Sequence, residues 1–192
     1  VNVIEAHRLA GERFRDTVRA VPADGWSWAT PCTEWDVRAL VNHVVGEDRW
    51  TVPLMVGQTI AAVGEALAGD LLGDDPVAAA DQAWAEAVAV VPAAVSAGMR
   101  VHLSYGEEAA EEYAWQLTSD HLIHTWDLAV AIGVEPALDA DVVAAVAGWF
   151  GGREAELQAT GLFGSPVPLP ADASRLDRLL AVTGRDPRWS RQ

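Results

Sequence analysis

The sequence predicts an all-α protein built on a helical bundle, and three observations carry that expectation. Apolar residues recur at helical spacing in four stretches long enough to pack against one another. Caps and breakers bracket most of these stretches. Strand-like alternation is confined to one short run, Met99 to Tyr105.

The elements follow in order. Val3 to Val21 reads as an amphipathic helix with Ile4, Leu9, Phe14, Val18 and Val21 on its apolar side. Pro22 to Thr33 is a loop rich in Pro, Gly, Asp and Trp. Thr33 is the expected N-cap of a second helix, Glu34 to about Trp50, with Asp36 adding negative charge to its first turn. Pro53 is expected to kink or end it. Gln58 to Asp75 is weak, broken by Gly69, Gly73 and two aspartates. Pro76 opens a third long helix that runs to about Ala97, with a bend at Pro92 and Gly98 as its cap. Gly106 precedes the longest helix, Glu107 to Ile132, which Gly133 ends. A last helix is expected from Asp141 to about Ala159. The tail, 161 to 192, holds an extended Gly164 to Pro170 linker and a short helix that starts at Asp172 or Ser174 and ends near Gly184. No repeat and no second core are visible, so one domain over residues 1 to 192 is expected, with the tail packed on it.

The bulk numbers narrow the function. The chain has 192 residues and a formal charge of −15. That charge argues against binding nucleic-acid backbones or anionic membrane surfaces. No apolar run reaches the roughly 18 residues of a membrane span, and no basic-then-apolar leader opens the sequence. A cytoplasmic protein is therefore expected. The one cysteine, Cys32, excludes an internal disulfide and a thiolate-cluster zinc site.

Ionisable groups concentrate in Ser119 to Asp127. Asp120 and His124 lie four apart, one turn above the other on a single helix face. Tyr113, Leu117 and Asp127 share that sector, while Trp115, Leu122 and Trp126 point the other way, so this helix should be central. On the second helix His43 shares a face with Leu40, Val44, Glu47 and Trp50 and should point inward. Arg38, Asn42 and Arg49 should see water. An inward His and an Asp-x-x-x-His pair make three N/O ligands, which leaves an open position on a divalent metal. Other readings stay open at this stage. His43 alone could be a hydrogen-bonded core histidine. His121 could be partly exposed or a further ligand. Asp127 could simply orient a ring nitrogen from behind. Glu47 could be a ligand, a general base, or a carboxylate paired with an arginine. Cys32 could be a pocket thiol or an ordinary small residue. His7 and His102 read as surface or edge residues.

Thr30 to Val44, T-P-C-T-E-W-D-V-R-A-L-V-N-H-V, resembles the TPC-x-x-W-x-V-x-x-L-x-x-H-V signature of an actinobacterial metal-binding family. That family is related to the N-terminal domain of mycothiol-dependent maleylpyruvate isomerase. His124 to Ala129 is similar to its H-x-W-D-L-A element, and Leu179 to Pro187 to its closing L-L-A-x-x-G-R-D-P stretch. The resemblance implies a DinB-like four-helix bundle with short extra helices and an extended C-terminal tail. It also implies metal ligation by His43, Asp120 and His124, the residues already selected by helix face. The family pattern often has Glu where this chain has Asp120, which shifts the ligand geometry. The isomerase carries a further C-terminal domain, so isomerisation of maleylpyruvate itself is not carried over.

The expected cofactor is a divalent metal, Zn2+ first and Ni2+ as the alternative, with mycothiol as the candidate cosubstrate. In the leading reading a metal-bound thiolate attacks a small electrophile in a transferase or isomerase reaction, and Glu47 or Asp127 moves the proton. A metal-dependent hydrolase using bound water is the alternative. The third reading is a non-catalytic metal module, perhaps a homodimer, with the site closed by His121 or Glu47.

Overall fold

The computed structural model describes residues 1–159 and 164–191. The first residues of the expected tail, 161 to 163, and Gln192 lie outside them.

The four long helices are present and form the bundle. Asn2 caps α1 (Val3–Arg19) by accepting from Glu5 N at 3.0 Å. The second helix, α2 (Val37–Met55), starts later than the sequence suggests. Its cap is Asp36 rather than Thr33, with Asp36 Oδ1 accepting from Ala39 N at 2.8 Å. Residues 29 and 36 pair in a short antiparallel bridge, which keeps Glu34 and Trp35 out of the helix. α2 also runs through Pro53 instead of ending near Trp50. A proline removes only its own donor, and buried Leu54 and Met55 anchor the last turn in the core. A one-turn helix, α3 (Ile60–Val63), follows. Asp75 caps α4 (Pro76–Ser96), with Pro76 at its first position.

The alternating run forms β1 (Arg100–Leu103), which pairs antiparallel with β2 (Gly106–Ala109). This hairpin takes the first residues expected for the longest helix, because Gly106 turns at φ +138° and returns the chain along β1. The helix itself, α5 (Ala110–Ile132), ends at Gly133 in the left-handed conformation as its sequence requires. The expected final helix is broken in two, α6 (Ala140–Phe150) and α7 (Glu154–Ala159), by Gly151 and by Gly152 at φ +81°. A reciprocal Ser174–Asp177 capping box starts α8 (Arg175–Val182).

α5 is the central helix. α1 and α2 pack on it, and both also pack on α4. One part of the core joins Phe14, Val18, Leu40, Val44, Ala83 and Leu128. Another joins Leu54, Met55, Val91, Val101 and Leu117 near the hairpin. The third brings α6 and Leu179 of α8 against Ala6, Ala10 and Leu122, so α8 contributes to the same interior. α1 meets α4 closely at Gly11, where a Cβ would stand 2.4 Å from the Trp84 ring. Among the described residues no helix is long and apolar enough to cross a membrane.

The polar side of α2 is partly exposed, as expected, and also holds a loop. Asn42 holds the 69–71 turn in two bonds, Nδ2 to Gly69 O at 3.1 Å and Oδ1 from Leu71 N at 2.7 Å. Arg38 Nη2 reaches Asp70 Oδ2 and Gly73 O, both at 2.8 Å. Arg49 extends toward Leu71 O. The glycines and aspartates that break the helical pattern there are thus partners for α2.

Candidate metal centre

The expected ligands meet between α2 and α5. His43 Nε2 lies 3.4 Å from Asp120 Oδ1 and from Oδ2, and His124 Nε2 lies 3.3 Å from Asp120 Oδ1. The ligand atoms of His43, Asp120 and His124 all fall within 4.8 Å of one another. The two imidazoles meet edge to face with centroids 5.1 Å apart. Trp35 covers both rings, at 4.6 Å from His43 and 5.7 Å from His124.

This donor set fits a divalent metal. Two ligand atoms each about 2.1 Å from a tetrahedral ion stand about 3.4 Å apart. The His–Asp spacings match that separation, and they exceed the roughly 2.8 Å of a charge-assisted hydrogen bond. Asp120 Oδ2 is buried without a hydrogen-bond partner, a cost that a bound cation would remove. Without a metal, burial pushes Asp120 up, but His124 and His43 outweigh it and hold the carboxyl well below its ordinary range. Burial opposes charge on His124, yet Asp120 and Asp127 raise it well above the usual imidazole value. A cation would take the place of these protons between the three groups.

Asp127 sits behind His124. Its Oδ2 lies 3.0 Å from His124 Nδ1 and 3.0 Å from Arg185 Nη2, and it accepts from Cys32 Sγ at 3.3 Å. The carboxylate is fully buried. Burial raises its pKa, while His124 and Arg185 more than compensate and keep it ionised. Cys32, His124 and Asp127 also have ligand atoms within 4.8 Å of one another. Arg185 lies against that second group and supplies its positive charge.

His121 is turned away from the centre. It is 1% exposed, its Nδ1 donates to Leu117 O at 2.8 Å, and its Nε2 stands 3.2 Å from Asp48 Oδ1. His7, expected at the surface, is also 1% exposed and packs against His121 and Trp84. Its spacing from Ile4 and Phe14 was the signal, since it puts His7 on the apolar side of α1 that α4 and α5 bury. His102 is an edge residue, on β1 beside Glu107.

The triad opens on a cavity of about 800 Å³. Cys32, Glu47, Tyr113 and Arg185 lie on its wall with the three candidate ligands. Glu47 is pushed up to about 7, first by burial and then by Asp120. A carboxyl in that range can give or take a proton near neutrality. Arg185 is the residue of this cluster that the sequence reading missed. The G-R-D-P run was noticed, but nothing local indicates that this arginine returns to Asp127, 58 residues away.

The helical bundle and its three convergent donors define a DinB-like protein with a candidate metal centre between helices. The chain belongs to the family of the mycothiol maleylpyruvate isomerase N-terminal domain, whose model matches residues 7–129. It is similar to two uncharacterized proteins of Mycobacterium tuberculosis, Rv0738 of strain H37Rv and MT0763 of strain CDC 1551 / Oshkosh. Each is 32% identical over 192 aligned residues, covering 95% of this chain and 97% of the relative. No solved structure matches it.

Proposed function

We propose that this chain is one metal-binding domain that uses His43, Asp120 and His124 to hold a divalent metal, Zn2+ first. Its function in this reading is to bring a small thiol to a small electrophile, in a transfer or isomerisation. Mycothiol is the first candidate for the thiol, because the matched family is described by it. The observation that carries the reading is the convergence of three N/O donors on the wall of an 800 Å³ cavity. Among the described residues neither His121 nor Glu47 joins that donor group, which leaves a side open toward the cavity.

When bound, the metal supplies positive charge that favours the ionised form of a thiol beside it. The residues of the chain do the rest. Glu47, on the cavity wall with the three ligands, accepts the proton released by the thiol. Trp35 shields the imidazoles from water on one side. The cavity volume lies in the range that accepts a small organic ligand.

Metal analysis of the purified protein, followed by calorimetric titration with mycothiol, tests this reading. One metal per chain and saturable thiol binding are expected, with both lost in His43→Ala. Absence of stoichiometric metal, or metal without thiol affinity, defeats it. Turnover that needs no thiol would favour the hydrolase instead.

A further inference from the structure

We propose that Arg185, from the segment after α8, is a positioning residue for the metal centre. Acting through Asp127, it keeps a proton on His124 Nδ1 and so aims Nε2 at the point shared with His43 and Asp120. This inference rests on the metal reading above.

A carboxylate can only accept hydrogen bonds, so a ring nitrogen 3.0 Å from ionised Asp127 must carry hydrogen. That leaves Nε2 as the atom with a free lone pair once a metal is present. The arrangement lasts only while the Asp127 carboxylate stays in place. A carboxylate with no exposure to solvent is strongly disfavoured without a cationic partner. Arg185 supplies the pairing. Its Nε lies 3.3 Å and its Nη2 3.0 Å from Asp127 Oδ2, so two of its nitrogens face one carboxylate. Nη2 also reaches Cys32 Sγ at 3.3 Å. Nη1 donates to Thr183 O at 2.8 Å, which fixes the plane of the guanidinium. A lysine ammonium could meet the charge but not this fork.

The backbone is arranged to deliver that side chain. Arg185 N donates to Leu180 O at 2.9 Å, tying the residue to the end of α8. Gly184 holds φ +84°, and a Cβ there would stand 2.6 Å from Gly164 Cα. Only glycine meets both conditions, so the chain turns back toward Asp127 at this point. Arg185 also lies outside residues 7–129, the part matched by the family model. The centre is therefore completed by a residue from the tail.

The test compares the wild-type chain with Arg185→Met, Arg185→Lys and Val91→Ala. Val91 packs in the core near the hairpin, where none of the described residues comes from α8 or the tail, so its truncation lowers stability without disturbing the segment that carries Arg185. Zn2+ affinity is measured by competition with a chromophoric chelator, and the His124 ring is observed by 15N NMR in the zinc form. Arg185→Met is expected to weaken zinc binding by about 10–100-fold, with loss of the protected Nδ1–H signal. Arg185→Lys should recover part of both. Val91→Ala should lower the thermal midpoint while leaving the affinity within about two-fold. The proposal is overturned if Arg185→Met binds zinc like the wild type with His124 Nδ1–H intact. It is equally overturned if Val91→Ala weakens zinc as much as Arg185→Met. In both cases the metal reading survives, whereas a wild type that takes up no metal removes both.

Discussion

His121 and His124 sit three residues apart on α5, and each faces a carboxylate, yet the two pairs differ in almost everything else. His124 meets Asp120 at the wall of a cavity, with a second imidazole on the same carboxylate and a third group behind. His121 meets Asp48 inside the bundle, where Phe14, Trp84 and His7 enclose it. The Asp48 Oδ1 and His121 Nε2 atoms are close but off hydrogen-bond geometry, and both rank as buried without a partner. Charge alone holds this pair. Burial opposes charge on His121, and Asp48 outweighs it, so the ring titrates above its usual value. The contrast teaches that a His–Asp pair is not by itself a site. A site also needs convergent donors, an open side and a supported orientation.

The largest effect that could break this contrast comes from the enclosed pair. Asp48→Ala strands a buried imidazole and should cost about 3–5 kcal/mol of unfolding free energy in urea titration. The same variant should keep its zinc affinity, and a large loss would mean that the two pairs act as one unit.

Removing His124 should do the reverse. His124→Ala is expected to lower zinc affinity by more than about 100-fold. Its metal-free stability should fall by less than that of Asp48→Ala, because the open side of the cavity lets water solvate the stranded Asp120. Equal destabilisation by both substitutions would erase the distinction drawn between cavity and core.

Acid titration sharpens the comparison further. Burial, and then the charge on His121, push His7 down to about 3. The unfolded chain gains this proton below about pH 6.5 and the folded chain does not, so stability falls with a slope of up to about 1.4 kcal/mol per pH unit. The loss is complete only near the folded value of about 3. The other ionisable groups of this cluster, His121 and Asp48, are present in both proteins compared. The difference between wild type and His7→Leu should therefore isolate His7. Both ring nitrogens of His7 lack partners, so the leucine variant should equal or exceed the wild type in stability at pH 7. A wild type and a His7→Leu variant with parallel stability curves from pH 7 to 4 would contradict this account.

The smallest effect concerns Cys32. Its thiol shares Asp127 Oδ2 with His124 and with two nitrogens of Arg185. Cys32→Val should weaken zinc binding by only a few-fold, about 1 kcal/mol or less, well short of the Arg185→Met effect. Cys32→Ser, which keeps a donor, should lie closer to wild type in the same chelator competition.

Much of this was readable from local signals. The four long helices follow from apolar periodicity, and Pro76 and Gly133 mark ends that the structure keeps. The triad was readable because four-residue spacing fixes Asp120 and His124 on one face whatever the rest of the chain does. His43 came from the same geometry on α2. Where local signals competed, the reading failed. Thr33 and Asp36 are both good caps, and the bridge between residues 29 and 36 chose the second. Glu107 to Ala109 suits a helix, but pairing with β1 claimed it. Arg38 and Asn42 do face outward on α2, but their bonds to a loop some thirty residues later were not readable.

The sequence by itself determined the helical class, the central helix, and a histidine and an Asp-x-x-x-His pair on separate inward faces. Those properties follow from a 3.6-residue period, which acts over one or two turns. Only the tertiary structure decided that His121 meets Asp48 inside the bundle, that Asp127 stands behind His124, and that Arg185 returns from the tail to hold it. Burial and ion pairing between distant segments depend on which surfaces meet, and no local spacing encodes that.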